Sequence, residues 1–274
     1  MLKIGLAQMR AEEDWSDNLH RALALMDRGR AEGVEMIAFP EVGLTRFFPQ
    51  YRADQRYFDW AELIPGPTTE RLSEKARELE MVVVVSVYEF VPPGAYYDSA
   101  AVINADGSLL GVARMMHIAE EPNYNEKYYY WPGNTGYPVF QTAYADVGVA
   151  ICYDCRFPEH MRALALGGAE IIFVPTAESG DRILETWTLE NQASSLANNV
   201  FVAVANRVGT EDAMTFVGRS YVTSPFGEVL SMAGSREEEL LTVEIDPGEV
   251  RRARQVIPYM RDRRPETYGV ITRW

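Results

Sequence analysis

Apolar runs of strand length recur along the chain with helix-spaced stretches between them, and this alternation limits the fold more than any other feature. Leu2–Gln8 (LKIGLAQ), Met36–Phe39 (MIAF), Met81–Phe90 (MVVVVSVYEF), Val147–Cys152 (VGVAIC), Ile171–Val174 (IIFV) and Val200–Ala205 (VFVAVA) read as strands. Asp14 to Arg30 carries Leu19, Leu23 and Met26 at i, i+4 and i+7, the spacing of one helix face, with Ser16 and Asp17 as candidate N-caps. Leu72–Leu79, Pro158–Leu166 and Leu184–Asn198 read as further helices. Asp106-Gly107 and Phe226-Gly227 mark hairpins, and Pro92-Pro93-Gly94 marks a turn. No linker-like shift in composition interrupts the pattern, which predicts α/β layering in one domain over residues 1–274. Two stretches stand apart: a polar, aromatic loop over 119–138 and a basic, irregular arm over about 251–274.

Charge and cysteine usage narrow the function classes. Lys and Arg total 26 against 40 Asp and Glu, a net charge of −14. A surface this acidic repels phosphate backbones and anionic lipid, so neither nucleic acid nor membrane is an expected partner. The apolar runs fall well short of the ~20 residues of a membrane helix. The start, MLKIGLAQMR, lacks the long apolar stretch of a signal peptide. Two cysteines, Cys152 and Cys155, cannot build a disulfide framework and indicate a reducing compartment. A soluble cytoplasmic protein is expected.

Two residues stand where chemistry is usually placed. Cys152 closes the run VGVAIC, so a buried strand delivers a thiol at its C-terminal tip; a plain core cysteine is the alternative. Glu41 closes IAFPE, where an acid against an apolar strand needs a partner or a task, and desolvation raises its pKa into the range of a general base; a surface loop glutamate is the alternative. Cys152-x-x-Cys155 is weak as a zinc or redox motif, because no second pair follows and only His20, His117 and His160 are available. A Cys–His pairing with His117 or His160 stays open. The aromatic run Tyr128–Trp131 walls a pocket or packs the long loop, and Arg261–Arg264 reads as a salt-bridged arm. No phosphate-cradling glycine loop is present.

Taken together, the chain resembles the nitrilase superfamily of carbon–nitrogen hydrolases over nearly its whole length. The stretches that carry the resemblance are FPEVGLT around Glu41, RMMHI at 114–118, NEKYYYWPGNTGYPVF at 125–140, GVAICYDCRFPE at 148–159, VFVAVANRVG at 200–209 and RDRRPETY at 261–268. The N-carbamoyl-amine and short-chain amide hydrolase branch is the most similar in its loop motif. The resemblance implies a four-layer α-β-β-α sandwich that forms a homodimer or higher oligomer through its outer helices and C-terminal arm. It implies a small amide, N-carbamoyl or nitrile substrate and no cofactor or metal. It also implies roles: Glu41 as general base, Cys152 as nucleophile, Glu126 as an orienting acid, and the Tyr153 N–H as part of an oxyanion hole. The family's lysine, in a motif like YRKxHI, falls on Met115. A methionine donates no hydrogen bond, and one oxyanion donor is typically worth ~2.7–4 kcal/mol. Three explanations stay open: an introduced substitution, another cation such as Lys127 or Arg114, or a branch with altered or lost catalysis. The last of these makes a catalytically impaired binding protein the rival expectation. The strand end VPTAES adds Glu178, and with Tyr129 and Trp131 it is expected to shape the pocket, an acid there suiting an amine-bearing substrate.

Overall fold

The computed structural model describes residues 1–273, and the side chains of all but 181–184. The elements run β1 (Leu2–Gln8), α1 (Trp15–Ala31), β2 (Met36–Ala38), α2 (Pro67–Leu79), β3 (Val82–Val91), β4 (Ala95–Ile103), β5 (Leu109–Arg114), α3 (Glu126–Tyr129), β6 (Val139–Gln141), β7 (Asp146–Val149), α4 (Pro158–Leu166), β8 (Ile171–Thr176), α5 (Asp181–Asn198), β9 (Phe201–Asn206), β10 (Val208–Glu211), β11 (Met214–Val217), β12 (Tyr221–Thr223), β13 (Val229–Met232), β14 (Glu239–Ile245), α6 (Gly248–Val256) and α7 (Tyr259–Asp262). The strands form two six-stranded sheets, ordered β14-β1-β2-β3-β4-β5 and β13-β12-β9-β8-β7-β6, and the pair β10-β11. In each large sheet the central strands are parallel: β1, β2 and β3 in the first, β7, β8 and β9 in the second.

Strand alternation builds the layers. Val82, Val84 and Tyr88 of β3 enter one core cluster with Ile171 and Phe173 of β8 and Phe201 and Ala203 of β9. The opposite face of β3, Val83, Val85 and Val87, packs on Leu19 and Met26 of α1 and Leu72 and Ala76 of α2. Likewise Ile172, Val174, Val202 and Val204 turn to Met161 and Leu164 of α4 and Trp187 of α5. One core therefore lies between the sheets and two lie beneath outer helices, the α-β-β-α sandwich expected. Each large aliphatic or aromatic residue buried this way contributes roughly 1.5–3 kcal/mol. Parity then decides which polar residues face inward: Asp98 shares the inner face of β4 with Ala100 and Val102.

Several local expectations need correction. The N-cap of α1 is Asp14, whose carboxylate accepts from the Ser16 N–H at 2.7 Å, so Ser16 and Asp17 lie inside the first turn. Helix α2 starts at Pro67 and not at Leu72; proline suits the first turn, and the Thr69 hydroxyl accepts the Gly66 N–H at 2.9 Å. That turn is polar, so apolar spacing does not reveal it. The long loop contains α3. The C-terminal arm is largely helical, with α6, α7 and a 3₁₀ turn over Pro265–Thr272. In α6 only Val250 and Ala253 are buried among basic residues, too few apolar positions to show a pattern. Trp274 lies outside the described residues. No helix among the described residues is long and apolar enough to cross a membrane.

Candidate active site

The site forms where the carboxyl ends of parallel strands from both sheets meet. Strand β2 ends at Ala38, and Phe39-Pro40 carries the chain to Glu41, which is fully buried. From the other sheet, β7 stops at Val149, and Cys152 opens a 3₁₀ turn over Cys152–Arg156, three residues past the strand and not on it. Its φ of 44° lies in the left-handed region that non-glycine residues seldom occupy, a strain held by the packed turn. The Thr176 hydroxyl, at the end of β8, donates to the Cys152 sulfur at 3.3 Å.

Glu126, at the start of α3, is fully buried, and its Oε2 accepts the Ala119 N–H at 3.2 Å while Oε1 has no partner. Cys152, Glu126 and Tyr153 line a cavity of about 380 Å³ with Ala119, Glu121, Tyr124, Arg156, Glu178 and Thr186. Glu41 does not line this cavity; it is buried against Cys152 and Asp98, the groups that act on its charge. The sequence-predicted Glu41, Glu126 and Cys152 are thus brought together.

Electrostatics at this site are those of buried acids crowded together. Burial, with Asp98 and Glu126 nearby, pushes Glu41 well above the usual carboxylate range. Burial and Asp98 do the same to Glu126. Burial, Glu41 and Glu126 push the Cys152 thiol up. Met115 is fully buried beside them, its N–H bonded to the Asp98 carbonyl at 2.9 Å. Neither candidate replacement cation serves the site. Arg114 forms a paired contact with Glu89 at 2.7 Å and lies over the Tyr97 ring, and Lys127 is exposed.

Other expectations resolve differently. His117 and His160 both turn to Asp154, at 2.8 and 3.4 Å, so the partners that a Cys–His pairing needs are engaged elsewhere. Those atoms lie within 4.8 Å of one another, a spacing open to a metal. However, the backbone N–H groups of Met116 and His117 also point at Asp154 Oδ1, at 3.1 and 2.9 Å, which is an anion's environment. Cys155 is a free thiol that accepts from Trp187 Nε1 at 3.3 Å. Tyr129 packs in an aromatic cluster with Phe48 and Phe58, and Trp131 is exposed; neither lines the cavity. Glu178 does line it, but is paired with Arg156 at 3.1 Å, so its charge is not free.

The sequence reading missed Asp98, Arg156 and Arg207. Arg207, just past β9, is fully buried; it donates to the carbonyls of Glu41 at 3.0 Å, Val42 at 2.5 Å and Thr45 at 2.5 Å, and pairs with Glu211 at 2.6 Å. It ties the Glu41 turn of one sheet to the strand end of the other. An acid on the inward parity of YYDSAAVI was the available signal for Asp98.

The carbon–nitrogen hydrolase family model matches residues 3–255. An N-carbamoylputrescine amidase of Solanum lycopersicum is 37% identical over 99% of this chain and 95% of its own length. The crystal structure of a carbon–nitrogen hydrolase from Helicobacter pylori G27 superposes with a TM-score of 0.95 at 28% identity, covering 99% of this chain and 98% of that one. A glutamate-to-glutamine mutant of the amidase from Nesterenkonia sp. AN1 superposes with a TM-score of 0.80 at 26% identity over 97% and 94% of the two chains; it shows covalent addition of the acetamide moiety of fluoroacetamide at the active site cysteine. The chain belongs to the carbon–nitrogen hydrolase family.

Proposed function

We propose that the protein hydrolyses a non-peptide carbon–nitrogen bond of a small amide, N-carbamoyl amine or nitrile through a thioester on Cys152. The observation that carries this reading is the convergence of buried Cys152, Glu41 and Glu126 at one cavity, which Cys152 and Glu126 line. For an amide, Glu41 takes the thiol proton, sulfur bonds to the carbonyl carbon, and the C=O pair moves onto oxygen near the Tyr153 N–H. The C–N bond then breaks as Glu41 returns the proton to nitrogen. Water gives a proton to Glu41, attacks the thioester and releases the acid and the thiol.

The relative named for N-carbamoylputrescine makes an N-carbamoyl amine the first substrate class to try. Glu121 and the Arg156–Glu178 pair on the cavity wall suit a polar tail. As a cytoplasmic homodimer, the protein would bury apolar side chains now exposed on the outer helices and arm, among them Leu166, Leu189, Val256 and Ile271. One domain, with the arm as an appendage, is the organisation that goes with this reading.

Ammonia release from a panel of amides, nitriles and N-carbamoyl compounds tests the activity. Cys152→Ala is expected to lower it at least about 10⁴-fold, with intact mass showing an acyl adduct on the unsubstituted protein only. An adduct that persists in Cys152→Ala removes the assignment. The buried Met115 favours one rival, a binding protein of the same fold; binding without any turnover across the panel would establish it.

A further inference from the structure

We infer that the base at this site is not Glu41 alone but a proton-sharing pair of carboxyl groups, Glu41 and Asp98, in which Asp98 positions Glu41 against the Cys152 thiol. This rests on the proposed thioester chemistry and adds a residue to it. The geometry is specific. Asp98 is fully buried on the inward face of β4. Its Oδ1 accepts the Ser86 hydroxyl at 2.8 Å, and the same Ser86 oxygen accepts the Val42 N–H at 2.8 Å, next to Glu41. Its Oδ2 has no N–H or O–H donor, and neither has either oxygen of Glu41. Yet the two carboxyl groups lie within hydrogen-bonding reach of each other. Two acceptors at that range close only around a proton, and two bare charges there are prohibitive.

The groups facing the pair deepen the constraint. Glu126, Cys152, Asp154, Tyr130 and Tyr124 are neutral or acidic, and Met115 brings no charge. Arg207 is the cation that acts on Asp98, and its guanidinium is spent on the carbonyls of the Glu41 turn and on Glu211. One proton thus does in this pocket what a buried ammonium would otherwise do.

The resting pair holds one proton and one negative charge. When Cys152 ionises, its proton passes to Glu41 and the pair becomes doubly protonated and neutral. When nitrogen leaves, it takes one proton and the pair returns to its resting state. The second half-reaction repeats the exchange with water as donor and the leaving thiolate as acceptor. No oxidant or other reactant enters. Asp98 touches neither sulfur nor substrate in this scheme; its task is to donate to one oxygen of Glu41 and leave the other for the thiol.

The test compares Asp98→Asn with Asp98→Ala on the intact protein, by kcat/KM against pH and by acyl-adduct mass spectrometry. An amide side chain keeps an N–H for Glu41 but carries no acid. Asp98→Asn is therefore expected to keep kcat/KM near its optimum within about fivefold of the unsubstituted protein, while the alkaline limb of the profile, where the pair gives up its shared proton, moves at least one pH unit higher because an amide has no such proton to lose. Asp98→Ala is expected to lose at least about 10²-fold. Equal losses in both variants, or an alkaline limb that stays put in Asp98→Asn, would overturn the inference. Adduct formation on the unsubstituted protein tells this failure from that of the hydrolase reading, which falls if no adduct forms. Circular dichroism and thermal melting of both variants separate loss of fold from loss of the pair.

Discussion

Two buried aspartates, Asp98 and Asp154, flank the same site and behave in opposite ways. Asp98 is fully buried with one hydroxyl donor, and burial pushes it up to about 7. Asp154 is about as deeply buried, and burial pushes it the same way. There, however, the His117 and His160 rings and backbone N–H groups outweigh burial and hold it below its ordinary value. The lesson is that depth does not decide what a carboxyl group is. The count of donors aimed at it does: with several donors it is a fixed charge that anchors the 115–118 segment to the Cys152–Arg156 turn, and with one it is a store for a proton.

The largest effect that would break this comparison is on stability. Asp154→Leu strands the buried His160 ring, the partly buried His117 ring and two N–H groups, and should cost about 3–5 kcal/mol in urea unfolding at pH 7. Because its folded value is depressed, Asp154 supports the fold above its unfolded value near 3.8 and withdraws that support as pH falls further; unfolding curves at pH 3 and pH 7 should show the variant's deficit shrinking in acid. Asp98→Asn should have the opposite sign. Between 3.8 and about 7 the folded protein keeps a proton that the unfolded chain has lost, so stability falls as pH rises through that window. Removing the acid should raise unfolding free energy by about 1–3 kcal/mol at pH 7 and by almost nothing near pH 4. A loss at pH 7 would place Asp98 with Asp154 and erase the contrast. The smallest change sharpens it: Met115→Lys sets an ammonium beside the acids, and should raise kcat about tenfold and move the acid limb lower. A pH profile identical to that of the methionine protein would mean the acids do not sense position 115.

How much of this was legible in the sequence follows from what kind of signal each part leaves. The strands of β3, β8 and β9 are apolar on both faces because each separates two cores, and continuous runs such as VVVVSV announce that. Glu41 and Cys152 stand at the ends of such runs, where an isolated polar residue is conspicuous. Asp98 and Arg207 are no less buried, but Asp98 lies in a polar start to β4 and Arg207 after the end of β9, where charged residues are ordinary. Their importance comes from what approaches them from the other sheet, and no local pattern records that. The hairpin β10-β11 escaped for a related reason: Glu211 is buried because it meets Arg207, so its charge made a strand look like a loop.

Arg207 carries one more consequence. The thiol comes from one sheet and its acids from the other, and the guanidinium that joins them finds its carbonyl partners only when the two are packed face to face. A nascent chain that has made only the first sheet has acids and no sulfur beside them. One that has made both but not docked them has an ordinary, sluggish cysteine. On the proposed chemistry, reactivity is therefore a late product of assembly.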